Sequence, residues 1–599
     1  MSKKSKRSVL LWILVGFLAL GVIGFVLFVA MIGALIAKQE VVVQEGVLEL
    51  KLNDALAEGP TDNPLELFAA RLGGDKNQHL WNIRRALQHA ATDPRVHALR
   101  MDISAGVGGM AVAQEIQDLV SDFRERSHKP VYAYLNGDFA SDQTYFLATA
   151  ADTIWLSPEA GVMVHGIRFE VPFWRGTLEK LHIEPYFIMY KEYKSAAEPY
   201  SRYEMSDYFR EHLTALGEDM EAQLVSTIAE RRLLSPKAVE EAIDRGLMTA
   251  TEALDAGWVD RLGYADELEN TLAAAAGLDE YEGIPLGKYL KNLNWNRKKL
   301  EGDRVAVVFA EGPIVAGGKR SPFEEARIHG PKVAENLEEA AEDDQVRAIV
   351  LRVNSPGGSA VGSDFIWRAI SKARGQGKPV IVSMSSVAGS GGYWISMGAD
   401  KIVAQPTTIT GSIGVVFGKF NLRGFYEWIG ANISDVTLAR NADLMSAFEP
   451  LKPAHEARFR AWMDEVYGHF KQKVAEGRGM DVEAVEAIAK GRIWSGVDAK
   501  ENGLVDEVGG LSVALRLARE AAGLPDNTPA VAYPAPKDFF QMLAEHDFDV
   551  RVRTRLSLFD LWTPLHTMRT LPGDTQFAAL LQELETPRPW VLMPPIELK

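Results

Sequence analysis

The sequence contains no cysteine. Disulfides, thiol catalysis and cysteine-based zinc sites are therefore excluded. Basic residues are outnumbered, 65 against 81 acidic ones, for a formal net charge of −16. A phosphate backbone needs a concentrated basic surface, and no basic patch occurs beyond the N-terminus, which argues against a nucleic-acid partner. Neither a His-Glu-x-x-His motif nor a phosphate-loop pattern is present, so no metal or cofactor is implied. A single core is also excluded, because 599 residues exceed what one hydrophobic core organises.

What is present begins at the N-terminus. Lys3, Lys4, Lys6 and Arg7 precede an uncharged run from Ser8 to Ala37, which is 30 residues long. A helix needs roughly 20 residues to cross a bilayer. The run is too long for the apolar core of a cleavable signal, and Gly33-Ala34-Leu35-Ile36-Ala37 makes a poor cleavage site. The expectation is a cytoplasmic basic segment over 1–7 and an uncleaved transmembrane anchor over 8–37. The basic cluster stays inside, which places Lys38 onward on the periplasmic or external side.

The rest of the chain repeats itself. Pro130-Val131-Tyr132-Ala133-Tyr134-Leu135 resembles Pro379-Val380-Ile381-Val382-Ser383-Met384, 249 residues later. Ala151-Asp152-Thr153-Ile154 resembles Ala399-Asp400-Lys401-Ile402. Ser195-Ala196-Ala197-Glu198-Pro199 matches Ser446-Ala447-Phe448-Glu449-Pro450, and Gly257-Trp258-Val259-Asp260 matches Gly503-Leu504-Val505-Asp506. A nearly constant offset with small drift is the mark of duplication. The reading is a first module over 45–287, a polar and basic linker over 288–302, a second module over 303–525 and an extension of unassigned role over 526–599.

Within the second copy, short apolar runs alternate with helical spacing. Arg304–Phe309, Arg347–Val353 and Pro379–Met384 read as strands; Val333–Ala341 and Ser363–Gly375 read as helices. That alternation predicts an α/β fold of βαβ units with parallel pairing. Ligands of such sheets gather at the carboxyl ends of the strands. Two loops belong there: Asn354-Ser355-Pro356-Gly357-Gly358, and Ser385 to Gly392.

The second loop carries Ala388-Gly389-Ser390-Gly391-Gly392-Tyr393-Trp394. A helix is expected to start at Ser390, which sets its hydroxyl where unpaired N–H groups favour negative charge. Ala388 departs from the hydrolase Gly-x-Ser-x-Gly pattern. Amides of the first loop, with that of Gly391, form a candidate oxyanion hole. The serine also needs a base. Lys194, in Tyr193-Lys194-Ser195-Ala196, is the better candidate, provided burial lowers its pKa; His165 is the alternative. The second-copy counterpart of Lys194 is Met445. The first-copy counterpart of Ser390 is Ser141 or a neighbour, with Asp142-Gln143 in place of Gly391-Gly392. Duplication therefore predicts one complete composite site, with base and nucleophile from different copies, and one dead site.

These motifs, with Thr410-Gly411-Ser412-Ile413-Gly414, resemble the long tandem form of the signal peptide peptidase A family, the protease IV type. The resemblance implies tandem Clp-protease/crotonase-like modules and a Ser–Lys serine peptidase without cofactor. It implies Ser390 as nucleophile, Lys194 as base, Gly391 and Gly357 (or Gly358) as oxyanion donors, and Ser412 as the group that orients the lysine. It further implies signal peptides and other apolar peptides as substrates, a bacterial inner-membrane location facing the periplasm, and a homotetramer. Two rivals are an acyl-CoA enzyme on the same fold, which would not need Ser390 with Lys194, and a catalytically inactive membrane scaffold.

Overall fold

The computed structural model describes residues 45–60, 78–293, 302–317, 326–535, 589–592 and 597–598. The expected anchor over 8–37 lies outside the described residues. Among the described residues, no helix is long and apolar enough to cross a membrane.

The first copy is built on a six-stranded sheet in the order Arg261–Leu262, Thr153–Leu156, Val131–Leu135, Val96–Ile103, Gly46–Leu52, Gly283–Pro285. Every pair in it is parallel. The second copy repeats the order as Glu507–Val508, Lys401–Ala404, Val380–Gly389, Val346–Ser355, Arg304–Glu311, Ala530–Ala532, again all parallel. Parallel sheets are covered on both faces, so their strands are nearly continuous apolar runs. Val346–Ser355 illustrates this, with Ala348, Ile349, Val350, Leu351 and Val353 all buried.

Polar anchors recur in register as well. Asp152 and Asp400 accept from the amides of Val131 and Val380. Tyr145 Oη donates to the Trp258 carbonyl, and Tyr393 Oη to that of Leu504. Each buried hydroxyl thereby satisfies a carbonyl that would otherwise be stranded.

The boundaries differ from the sequence reading in three places. Val380–Gly389 runs five residues past Met384, and the helix after it, Gly391–Trp394, begins one residue past Ser390. The first stretch of the 288–302 linker is not an exposed connector: it lies in the helix Leu286–Asn292, whose Tyr289 is buried and donates to Asp93. The 526–599 extension supplies an edge strand to the second sheet, because Ala530–Ala532 occupies the place that Gly283–Pro285 holds in the first copy.

The contacts that join the copies include a strand pairing and an ionic cluster. The strand Glu184–Tyr190 of the first pairs antiparallel with Val415–Asn421 of the second, from Tyr190↔Val415 to Glu184↔Asn421. A buried ionic cluster also crosses between the copies. Arg352 donates to Glu58 at 2.7 Å, to Glu115 at 2.6 Å and to Ser383 at 2.8 Å. Both carboxylates come from the first copy and the arginine from the second. Removing one partner of such a cluster leaves a buried charge uncompensated, at a cost of about 3–5 kcal/mol.

Candidate active site

Ser390 sits at the end of Val380–Gly389, between that strand and a four-residue helix. Its backbone is unusual, with φ 58° and ψ −112°. Such a conformation costs a non-glycine residue about 1–3 kcal/mol and persists only where surroundings enforce it. The Ser390 amide donates to the Gly411 carbonyl at 2.8 Å, and the Ser390 carbonyl accepts from Trp394 at 2.9 Å. A helix this short adds little dipole, so the local electrostatic resource is the backbone N–H groups themselves.

The two glycine-bearing loops meet beside it. A Cβ on Gly391 would lie 3.1 Å from Gly357 Cα and 3.1 Å from the Gly358 nitrogen, closer than side chains normally approach. Glycine at 391 is therefore what allows the loops to touch. Ser355 Oγ accepts from the Gly357 amide at 3.2 Å and donates to the Gly312 carbonyl at 2.8 Å, which fixes the first loop.

Lys194 reaches this point on the segment that follows Glu184–Tyr190. Pairing of that strand with Val415–Asn421 carries the first copy's arm alongside Ser412 of the second. Lys194 Nζ lies 2.7 Å from Ser390 Oγ, 2.9 Å from the Ser412 carbonyl and 2.9 Å from Ser412 Oγ. Lys194 is 1% exposed, and Ser390 and Ser412 are fully buried. Composition alone suggests a surface lysine, but the fold buries it. A Cβ on Gly491 would sit 2.6 Å from Lys194 Cα, and one on Gly414 would sit 3.1 Å from Lys194 Cδ. Burial without a carboxylate partner among these contacts pushes the Lys194 amine well below the ordinary lysine range. Ser412 is itself held at φ 50°, its amide donating to the Arg492 carbonyl at 2.7 Å.

His165 is not part of this cluster. Its ring nitrogen faces Asp142 at 3.3 Å, within the first copy. A different histidine stands nearby: His212 Nε2 is 3.4 Å from Ser195 Oγ, and burial, then Arg492 and Lys194, push its pKa down to about 3. It is neutral and contacts neither Lys194 nor Ser390 by hydrogen bond. Ser141 caps the helix Asp142–Ala148 and interacts with Thr144, while Met445 is 37% exposed. The sequence reading missed Gly491 and the Arg492 carbonyl. No local motif marks them, since their role is contact with a distant segment.

The sequence profile of peptidase family S49 matches residues 124–279 and 372–525, once in each copy. Protease 4 of Salmonella typhi is 33% identical over 495 residues, covering 80% of this chain and 79% of that protein. Protease 4 of Haemophilus influenzae is 32% identical over 510 residues, covering 82% of this chain and 81% of that one. The chloroplastic serine protease SPPA of Arabidopsis thaliana is 33% identical over 445 residues, 73% of this chain; the chain spans 65% of the plant protein's length. A profile matched twice in one chain, and relatives similar over most of its length, place it in peptidase family S49, as a serine-type peptidase of the tandem signal peptide peptidase A (protease IV) form.

Proposed function

We propose that this chain is a membrane-anchored serine endopeptidase that degrades signal peptides left in the membrane after preprotein processing, with Ser390 as nucleophile and Lys194 as general base. The observation that carries the reading is the 2.7 Å approach of a buried lysine amine to a buried, strained serine hydroxyl. Ser412 completes the logic. A neutral amine has two N–H groups and one lone pair. The Ser412 carbonyl and Oγ, each 2.9 Å away, take the two N–H groups. The lone pair is left for the Ser390 proton.

The reaction is acyl transfer. Lys194 removes the Ser390 proton, and Oγ attacks the scissile carbonyl. The tetrahedral oxyanion is held by the backbone N–H groups of Gly391 and Gly357 (or Gly358), and the protonated lysine delivers its proton to the leaving amine. Water then hydrolyses the ester, activated by the same lysine. The apolar run Ser8–Ala37 supports membrane attachment with the body on the periplasmic side of a bacterial inner membrane. The family resemblance supports apolar peptide substrates and a homotetramer.

Two measurements test this reading. Hydrolysis of a fluorogenic peptide with an apolar residue before the cleaved bond is expected to fall at least about 10³-fold in both Ser390→Ala and Lys194→Ala. Full turnover by folded Ser390→Ala would sink the proposal. The second is the pH profile. The base works only as the free amine, so kcat/KM rises with pH as Lys194 loses its proton and levels off above that point. Because burial lowers the lysine, the rising limb is centred well below the 10.5 of an ordinary lysine. A limb centred at that ordinary value would show that the base is solvated or is another group.

A further inference from the structure

Lys194 and Ser412 come from different copies, and three residues of the second copy bridge their segments. The Lys490 carbonyl accepts from the amide of Tyr193, the residue before Lys194, at 3.1 Å. The Gly491 amide donates to the Ile413 carbonyl at 2.8 Å, and the Arg492 carbonyl accepts from the Ser412 amide at 2.7 Å. Backbone bonds from one short stretch therefore reach both segments that meet at the lysine amine.

The Arg492 side chain crosses the same boundary, and no step of the reaction above uses it. Its guanidinium carbon lies 5.1 Å from the centre of the Tyr193 ring and 4.5 Å from that of Trp494, so the cation has one ring from each copy against it. Arg492 Nη1 donates to Glu211 at 2.8 Å and to the Tyr193 hydroxyl at 3.4 Å, and that hydroxyl donates to Glu211 at 3.0 Å. Both rings are fixed in turn. Trp494 Nε1 donates to the Ile488 carbonyl at 2.9 Å, and Tyr193 packs edge-on against Tyr208 of the helix Asp207–Arg232. The Glu211 carboxylate is half-exposed, so its ion pair with Arg492 adds little to stability. What the arrangement does fix is the place of Tyr193, one residue from Lys194.

We infer that Arg492 is a positioning residue for the Ser390–Lys194 dyad: its carbonyl sets Ser412, its guanidinium locks Tyr193, and the two together hold the lysine amine on the serine. The inference rests on the reading of Lys194 as the base. A displacement of about 1 Å at a reacting group can cost about 100-fold in rate. Losing the guanidinium leaves the Arg492 carbonyl in place, so the expected loss is smaller.

The test is hydrolysis of the fluorogenic peptide by the full chain in detergent, measured across pH. Arg492→Ala is expected to lower kcat about tenfold with KM unchanged. Its rising limb in kcat/KM should also move to higher pH, because a loosened segment admits water and returns the amine toward the ordinary lysine range. Arg492→Lys keeps a cation near Glu211 without the flat stack, and should fall between Arg492→Ala and the parent in both readouts. Tyr193→Leu should resemble Arg492→Ala, and the double variant should lose no more than either alone, as expected of one device. The inference is overturned if the arginine variants keep the parent kcat and limb, or if KM rises at unchanged kcat, which would make Arg492 a substrate contact. It is equally overturned if kcat falls while the limb stays in place, which would make the role purely structural, or if the two single losses multiply in the double variant. Should Arg492→Ala fail to fold, Arg492→Lys decides by the same criteria. Lys194→Ala in the same assay separates the two readings: if it turns over peptide at the parent rate, the dyad itself fails; if it is inactive while the arginine variants match the parent, only the role of Arg492 falls.

Discussion

The same turn occurs twice in this molecule with opposite outcomes. Ser141 and Ser390 both precede a short helix whose tyrosine, Tyr145 or Tyr393, is tied to a carbonyl about 110 residues away. Ser141 is relaxed, at φ −73° and ψ 173°, and acts as an ordinary N-cap. Ser390 is strained and makes no cap bond; its hydroxyl faces Lys194 instead. The strands leading in differ too. Val380–Gly389 is continuous, whereas the first copy breaks the same path into Val131–Leu135 and Phe139–Ser141. Strain survives where a partner uses the geometry and is released where none does. The partner at the relaxed turn would have been Met445, which sits part-exposed.

Substitutions can break or sharpen that contrast. The largest effect is expected at paired glycines. Gly491 and Gly246 both have positive φ, at 87° and 78°, before equivalent short strands. Alanine at either meets similar backbone strain, about 1–2 kcal/mol. Only at 491 does the new Cβ strike Lys194 backbone, at 2.6 Å; at 246 the nearest atom is 4.0 Å away. Gly491→Ala is therefore expected to lower kcat/KM about 100-fold by displacing Lys194, the proposed base, while Gly246→Ala stays near the parent value. Equal losses in steady-state kinetics would show that strain, and not placement of the lysine, decides. A smaller effect is expected at the serines. Ser141→Ala should cost about 1 kcal/mol in thermal unfolding through its lost cap, with turnover intact. Ser390→Gly should be about 1 kcal/mol more stable than Ser390→Ala, because glycine adopts φ 58° without penalty. The absence of that gap would mean the turn is not strained.

The comparison also marks what a linear reading can reach. The duplication was legible because it preserves local patterns: apolar strands, the Asp152/Asp400 anchors, the paired Gly257 and Gly503. Ser390, Lys194 and Ser412 could be singled out by motif. Their 2.7 and 2.9 Å separations could not, because they depend on pairing of Glu184–Tyr190 with Val415–Asn421, strands more than 200 residues apart. Burial of Lys194 was hidden for the same reason: the glycines that enclose it come from the other copy. The second half of the helix Leu286–Asn292 reads as the start of a linker because Lys291, Arg297, Lys298 and Lys299 outweigh the buried Tyr289 in that stretch. The strand Pro589–Leu592 has no counterpart among the described residues of the first copy, so the repeat gives no hint of it.

The ladder between Glu184–Tyr190 and Val415–Asn421 is also a measuring device. Lys194 stands four residues past Tyr190 and Ser412 three residues before Val415, both off the same end of it. A slip of one position would shift the lysine's arm by about 3.4 Å and turn alternate side chains to the opposite face. That is more than the whole distance from Nζ to Oγ. A single inserted or deleted residue in either strand would therefore uncouple the two halves chemically.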